Sequence, residues 1–165
     1  MMYHFVGYGS LISHDSLKDT IKDKKFTPVI VKGYKRIFNL SINGKDILNL
    51  KKSPKSKFNG IIFSVNEKEF KKIKLREEEY NLEETEVYDF KTNKKIGKAF
   101  ICIDYFLEID HRKRLPNKSY FILCREAAYH LSKDFGKFWD NTTLISDNEK
   151  VSNWIKKHKE YNILK

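Results

Sequence analysis

The chain has 165 residues, of which 33 are Lys or Arg and 22 are Asp or Glu, so the formal net charge is +11 at neutral pH. At this length we expect a single domain over residues 1–165, with enough buried surface to enclose a core and a pocket. Twelve Phe and nine Tyr argue against a disordered chain, which lacks the apolar surface that offsets the entropy of ordering.

The positive charge raises the question of nucleic acid, because a basic excess attracts phosphate. The excess consists of 28 Lys and only five Arg, however, and Arg is the residue that binds phosphates and guanine edges in a bidentate manner. The basic runs at 22–25 and 51–57 also lack interleaved aromatic residues for base stacking. We therefore interpret the lysines as a solvated surface and do not expect nucleic acid to be the main partner.

Cysteine and histidine usage predicts no metal site and no disulfide. Cys102 and Cys124 stand in apolar contexts without a paired spacing, which is typical of reduced core residues in a cytoplasmic protein. The five histidines show no metal-ligand spacing. No leader-like segment and no apolar run of membrane-spanning length is present, so we expect a cytoplasmic chain that does not enter a membrane.

The first predicted element is a buried strand at 2–8, which is short, aromatic and followed by glycine. The run Gly7-Tyr8-Gly9-Ser10-Leu11 is a glycine-rich exit from that strand. Beyond it, Ser13 or Asp15 could cap a helical turn that runs toward Lys25.

Four strands are predicted next, at 28–31, 36–42, 46–50 and 60–65. Asn43-Gly44 is a strong type I′ turn signal and predicts a hairpin between the second and third of them. The Lys/Ser/Pro-rich segment 51–57 is expected to be a loop.

A short helix is predicted from Asn66, where several local signals agree. Asn66 is the cap, Glu69 falls at the N3 position of a capping box, and Val65 with Phe70 forms a hydrophobic staple. The helical pattern ends near the acidic run that begins at Glu77.

The second half predicts a hairpin and two more helices. The hairpin joins 86–90 to 98–103, with Asn93 and Gly97 in its turn. Pro116-Asn117 caps a helix whose apolar stripe comprises Tyr120, Leu123, Cys124, Ala127, Ala128 and Leu131. A last helix begins near Asp147, with Val151, Trp154 and Ile155 facing inward. Strands interrupted by three helices indicate a mixed α+β domain.

Two features of the sequence are candidates for a binding or catalytic role. The first is the loop at 7–11, which lacks the third glycine of a dinucleotide fingerprint, the Gly-Lys-Ser/Thr of a P-loop and the serine of a nucleophile elbow. Such a turn points backbone N–H groups at one spot, where a carboxylate or oxyanion binds, although an ordinary tight turn has the same spacing.

The second feature is the acidic run Glu77-Glu78-Glu79, with Tyr80 as a partly apolar wall beside it. A carboxylate near a helix C-terminus meets the negative end of the helix dipole, which raises its pKa toward the range of a proton shuttle. The alternative is a solvated helix end, which is the usual role of a charge run.

Three segments in this order resemble the gamma-glutamylcyclotransferase-like family. They are Tyr8-Gly9-Ser10-Leu11 after an N-terminal strand, the Gly-apolar-apolar-aromatic strand at 60–63, and the segment 73–80 with its Arg-Glu-x-x-Tyr ending. The stretch 119–144 is similar to the closing part of the family, so the resemblance covers nearly the whole chain. Departures occur at 73–74, where the family has Leu-Asp, at Glu78, where a small glycine is usual, and at Ala127, where a helix glycine is common.

The resemblance implies an α+β fold with a small mixed β-barrel flanked by helices. It implies a cofactor-independent cyclotransferase that releases 5-oxoproline and an amino acid or amine from a γ-glutamyl substrate, as in glutathione metabolism. Counting back from Tyr80 by the family spacing selects Glu77 as the catalytic residue, with Glu78 and Glu79 left open.

The same resemblance assigns substrate binding to Gly9, Ser10 and Leu11 through their N–H groups. Tyr8, Tyr80 and Tyr120 are candidate pocket walls and hydroxyl donors, and each taken singly could equally be a core aromatic. A non-enzymatic small-molecule-binding module on the same fold is the alternative function, because fold does not fix activity. No feature of the sequence specifies an oligomeric state.

Overall fold

The computed structural model describes residues 1–12, 26–42, 44–76, 81–104, 115–145 and 149–164. Six strands lie within these residues: β1 Tyr3–Gly7, β2 Thr27–Ile42, β3 Lys45–Val65, β4 Asn81–Asp89, β5 Lys95–Ile103 and β6 Thr143–Leu144. Four α-helices accompany them: α1 Glu67–Arg76, α2 Lys118–Leu131, α3 Lys133–Thr142 and α4 Val151–Trp154. Short 3-10 turns occur at Ser10–Ile12 and Lys159–Tyr161.

The strands form one mixed sheet in the order β3-β1-β5-β4-β2-β6. β2 also pairs with β3, so five strands complete a closed circuit and β6 extends it beside β2. The β1–β5 and β2–β6 pairs are parallel, and the other pairs are antiparallel. The predicted fold class, a mixed sheet with helices in an α+β fold, is confirmed.

The β2–β3 hairpin is confirmed, but its strands are longer than predicted. Ile42 pairs with Lys45 across the turn, and the predicted strands at 28–31 and 36–42 are one strand that bulges at Gly33, whose φ is +92°. This φ lies in the left-handed region that glycine adopts without strain, so the strand bends there and continues.

The predicted loop at 51–57 is wrong, because these residues belong to β3. Lys52 pairs with Tyr34 and Lys57 with Lys32, so β3 advances five residues where β2 advances two. The extra residues form a bulge that contains the exposed Pro54, a position where a missing N–H costs no ladder hydrogen bond.

Helix α1 begins as predicted. The Glu69 backbone N–H donates to Asn66 Oδ1 at 2.9 Å, and the Asn66 N–H donates to Glu69 Oε2 at 2.9 Å, which completes the capping box. Phe70 packs on a small apolar cluster that includes Val65 and Phe5, and its ring stacks on Tyr3 with centroids 4.2 Å apart. The helix is therefore attached to β1 and the end of β3.

The β4–β5 hairpin is confirmed, with a different turn. Asn93 lies in the turn with φ +59°, but Gly97 lies inside β5 opposite Val87, beside a register shift. The turn is organised by Asp89, whose Oδ1 accepts hydrogen bonds from the backbone N–H groups of Lys91 and Thr92.

The predicted cap of α2 is confirmed, since Asn117 Oδ1 accepts the Tyr120 N–H at 3.1 Å. Its predicted apolar stripe is wrong in part, because Leu123 and Leu131 are 39% and 37% exposed. The helix instead turns a face one position away toward the core, with Phe121, Cys124, Arg125 and Ala128 buried.

Helix α3 was not predicted, although Phe135 and Trp139 are both fully buried and lie one helical turn apart. In α4 and just after it, Val151, Trp154 and Ile155 are buried as expected. The predicted start of that helix at Asp147, and the helical turn at 13–25, lie outside the described residues.

In the part of the chain that the structure describes, no helix combines the length and the apolar character needed to cross a membrane.

Candidate functional site

The loop after β1 is held closely against β3. Gly7 pairs with Ile61, and the loop then closes into a 3-10 turn in which the Ile12 N–H donates to the Gly9 carbonyl at 3.0 Å. A Cβ atom on Gly60 would stand 2.5 Å from the Gly7 carbonyl oxygen, so β3 approaches the loop backbone as closely as glycine permits.

Tyr8 anchors the loop in the core. Its side chain is buried, its ring meets Phe58 edge-on with centroids 5.7 Å apart, and its hydroxyl donates to the Cys102 carbonyl on β5 at 2.6 Å. The hydroxyl thus fixes the loop relative to β5. The predicted role of Tyr8 as a pocket wall stays a prediction.

The structure brings Tyr120 next to Gly9. Tyr120 is half-buried in the first turn of α2, and a Cβ atom on Gly9 would stand 2.6 Å from its hydroxyl oxygen. The Tyr120 hydroxyl also hydrogen-bonds the Cys124 thiol one turn further along, while burial raises the pKa of Cys124 to about 12. Cys124 therefore remains a neutral thiol at neutral pH and is unsuited to act as a nucleophile.

Ser10 and Leu11 lie in the 3-10 turn that follows Gly9, and their predicted role in substrate binding stays a prediction. Ser10 begins the turn and is half-buried. Their backbone groups therefore follow directly on Gly9 beside Tyr120.

Glu77 and Tyr80 lie outside the described residues, but the structure describes both ends of the segment that holds them. Helix α1 ends at Arg76, and β4 begins at Asn81, which pairs with Ile103. The next residue, Leu82, pairs with Cys102, the residue whose carbonyl accepts the Tyr8 hydroxyl. Strand β4, which follows the segment 77–80 in the sequence, therefore pairs with β5, and β5 in turn pairs with β1.

Sequence reasoning missed the buried guanidinium behind this loop. Arg36 is 0% exposed and makes five hydrogen bonds to four residues. Its Nε donates to Thr143 Oγ1 at 2.8 Å, and its Nη2 donates to Asn59 Oδ1 at 2.8 Å and to Thr142 Oγ1 at 3.3 Å. Its Nη1 donates to the Asn59 carbonyl at 2.5 Å and to the Tyr8 carbonyl at 3.4 Å.

All acceptors of Arg36 among the described residues are neutral. Its Cζ lies 5.2 Å from the ring centroid of Trp139 and 5.8 Å from that of Phe58. Burial lowers the pKa of Arg36 to about 9, so the group still carries its charge at neutral pH. The other buried arginine, Arg125, has a bidentate ion pair with Asp140 at 2.8 and 2.9 Å.

The sequence signal for Arg36 is slight: it is a charged residue at the start of the predicted strand 36–42, directly before Ile37 and Phe38, and Thr142-Thr143 offers hydroxyl acceptors far along the chain. The described residues contain no group of three His, Cys, Asp or Glu side chains close enough to hold a metal ion.

No family model and no curated protein matches the chain by sequence. Solved structures do match it by shape. One is a gamma-glutamyl cyclotransferase, with a TM-score of 0.69 and 15% identity over 95% of this chain and 99% of that one. The chain has the gamma-glutamyl cyclotransferase-like fold.

Two further structures agree with this fold. An uncharacterized protein from Homo sapiens gives a TM-score of 0.70 at 15% identity, over 96% of this chain and 98% of that one. An AIG2-like protein from Mus musculus gives 0.52 at 16% identity, over 65% of this chain and 84% of that one. The gamma-glutamyl cyclotransferase-like fold therefore extends over almost the full length of the chain. Sequence identities as low as these show a shared fold but not a shared activity.

Proposed function

We propose that this protein is a cofactor-independent γ-glutamyl cyclotransferase that converts a γ-glutamyl amide into 5-oxoproline and a free amine or amino acid. The observation that carries the proposal is the loop Gly7–Leu11, which is held between Gly60, Cys102 and Tyr120. Strand β4, which follows Glu77 and Tyr80 in the sequence, lies beyond β5 in the same sheet. The likeness to a gamma-glutamyl cyclotransferase over 95% of the chain supports it.

The reaction requires little of the protein, because the substrate contains its own nucleophile. The α-amine attacks the γ-carbonyl carbon and closes a five-membered ring, and the bond from that carbon to the amide nitrogen breaks. Holding the chain in a folded-back conformation replaces a bimolecular attack by an intramolecular one, which contributes roughly 7–11 kcal/mol when the geometry is right.

Glu77 is the proposed acid–base. Its carboxylate removes a proton from the α-ammonium, which frees the attacking amine, and returns that proton to the leaving nitrogen as the carbon–nitrogen bond breaks. The ring nitrogen then gives up a second proton through the same carboxylate, and the released amine takes it up as an ammonium ion. Such a positioned carboxylate contributes about 10²- to 10⁴-fold in rate.

The N–H groups of Gly9, Ser10 and Leu11 are the proposed binding groups for the substrate. Backbone amides at a tight turn bind the α-carboxylate or the negative charge that develops on the γ-carbonyl oxygen. Tyr120 and Tyr80 are the proposed pocket walls, and the closeness of Tyr120 to Gly9 supports the first of these.

The substrate class is γ-glutamyl amides, including γ-glutamyl amino acids, γ-glutamyl amines and glutathione. We propose a cytoplasmic location, which the two free, buried cysteines support, since free thiols are typical of reducing compartments.

The test is a direct assay of 5-oxoproline after incubation of the protein with γ-glutamyl-alanine, a γ-glutamyl amine and glutathione. Release of 5-oxoproline from at least one of them is expected. If none is converted but one binds, the alternative of a non-enzymatic binding module replaces the proposal.

A further inference from the structure

The buried guanidinium of Arg36 joins four separate parts of the fold at one point. Arg36 lies in β2, and its hydrogen bonds reach the loop after β1 at Tyr8, β3 at Asn59, the end of α3 at Thr142 and β6 at Thr143. Four of its five hydrogen bonds among the described residues end on Asn59, Thr142 and Thr143, so the guanidinium is held by groups other than Tyr8.

Its contact with Tyr8 is made to the backbone and not to the side chain. The donor is Nη1 and the acceptor is the Tyr8 carbonyl oxygen. The peptide that joins Tyr8 to Gly9 is trans, as are all described peptide bonds. In a trans peptide the C=O and the following N–H point in opposite directions, so the atom that fixes the Tyr8 carbonyl also fixes the direction of the Gly9 N–H.

Two further contacts restrict the same short segment. Gly60 meets the Gly7 carbonyl from β3, and Tyr120 meets Gly9 from α2. Neither contact sets the rotation of the peptide plane between Tyr8 and Gly9. The guanidinium does, since it points the carbonyl toward the core.

We propose that Arg36 is a positioning residue for the candidate site: it holds the Tyr8 carbonyl inward and thereby turns the Gly9 N–H outward, toward an anionic or developing-anionic oxygen of the substrate. The inference rests on the proposed function for the identity of that oxygen. Arg36 does not touch the substrate in this account.

The charge of Arg36 adds to the effect of its geometry. The hydrogen-bond acceptors of Arg36 among the described residues are all neutral, so its positive charge lies directly behind the loop, although Asp140 also interacts with it electrostatically. In a site of low dielectric such a charge favours a negative group on the other side of the peptide.

Arg36→Lys separates these two contributions. Lysine keeps the charge but has a single nitrogen, which cannot span Asn59, Thr143 and the Tyr8 carbonyl at once. The matched control is Arg125→Lys, which replaces the other buried arginine, whose partners Asp140 and Asn162 lie outside the loop.

The experiment compares wild type, Arg36→Lys and Arg125→Lys by two readouts. The first is the NMR resonance and hydrogen-exchange rate of the Gly9 amide. The second is kcat/KM for 5-oxoproline release from the best substrate. We expect Arg36→Lys to shift the Gly9 amide, speed its exchange and lower kcat/KM on the order of 10²-fold, the scale of a misplaced binding group.

The loss falls on kcat if the loop amides serve the γ-carbonyl oxygen, and on KM if they hold the α-carboxylate. Arg125→Lys is expected to lower the melting temperature and to leave the Gly9 amide unchanged. A folded Arg36→Lys protein with a wild-type Gly9 amide and wild-type kcat/KM would overturn the proposal.

If wild type releases no 5-oxoproline, the proposed function has failed, and the Gly9 amide still decides whether Arg36 positions the loop. If Arg36→Lys does not fold, wild type alone suffices: slowly exchanging Arg36 Nη–H protons with nuclear Overhauser contacts to Tyr8 support the proposal, and rapidly exchanging ones refute it.

Discussion

A Cβ atom on Gly9 would stand 2.6 Å from the hydroxyl oxygen of Tyr120, so close that the Tyr120 side chain would have to move. The nearest other atom, Leu48 Cδ1, would be at an ordinary 3.5 Å. The loop after β1 and the first turn of α2 therefore meet closely where the Tyr120 hydroxyl contacts Gly9. A pair of substitutions at these two residues can test this contact.

Gly9→Ala should destabilise the protein by about 1–3 kcal/mol, since an added methyl group must displace the Tyr120 ring. Tyr120→Phe removes the clashing oxygen, so the double variant should recover part of that loss. Urea denaturation of the two single variants and the double variant measures the coupling, which we expect to exceed about 0.5 kcal/mol. Strict additivity of the two effects would contradict the contact.

Asn66→Ala should cost about 1 kcal/mol of stability, because it removes the acceptor for the Glu69 N–H at the start of α1. The helix leads directly into the segment that holds Glu77, so we expect the variant to lower activity as well. Lys68→Ala, on an exposed position of the same turn, is the matched control and should stay within about 0.5 kcal/mol of wild type. Equal stability of the two variants would show that the capping box contributes nothing.

The turn between β4 and β5 should weaken in acid. Hydrogen bonds from Thr92 and Lys91 to the Asp89 carboxylate hold its pKa below the usual value. A carboxylate with a lowered folded-state pKa stabilises the fold above its unfolded-state pKa, and this contribution disappears as the pH falls through the folded-state value.

Asp89→Ala should therefore lower the denaturation midpoint more at neutral pH than in acid, because wild-type Asp89 loses its charge as the pH falls through its folded-state pKa. Thr92→Val, which keeps the backbone N–H donor, is the control and should have the smaller effect at neutral pH. A loss in Asp89→Ala that is equally large at both pH values would point to a cause other than the charge.

The net charge of +11 should steer anionic γ-glutamyl substrates toward the protein. We expect kcat/KM to fall as NaCl is raised while kcat stays constant, because screening slows encounter and not chemistry. The same salt series on a nucleic-acid column tests the competing interpretation. Strong retention that decays steeply with salt would revive nucleic acid as a partner.

Local signals predicted the parts of the fold that depend on neighbouring residues. Asn66 and Glu69 lie three positions apart, and Asn117 lies three before Tyr120, so both helix caps can be read from spacing alone. The strand and glycine-rich loop at the N-terminus were predictable for the same reason.

Features that depend on distant residues were not predictable. The composition of 51–57 indicates a loop, but pairing with β2 across a bulge makes it a strand. Helix α3 was missed because its polar residues mask the buried pair Phe135 and Trp139. The position of Arg36 depends on a hydrogen bond to Thr143, which lies 107 residues away in the sequence. No local pattern therefore marks Arg36 as part of the site.

The proposed function depends most on Glu77, the proposed acid–base in a cyclisation that releases 5-oxoproline. The run of three glutamates supplies its own controls, since Glu77→Gln, Glu78→Gln and Glu79→Gln make the same chemical change at adjacent positions. Circular dichroism and thermal denaturation establish that each variant is folded.

The deciding measurement is the rate of 5-oxoproline formation from the best γ-glutamyl substrate by wild type and these three variants. We expect a loss of about 10²- to 10⁴-fold in kcat for Glu77→Gln alone, with the other two near the wild-type rate. An undiminished rate in folded Glu77→Gln would contradict the proposed role of Glu77.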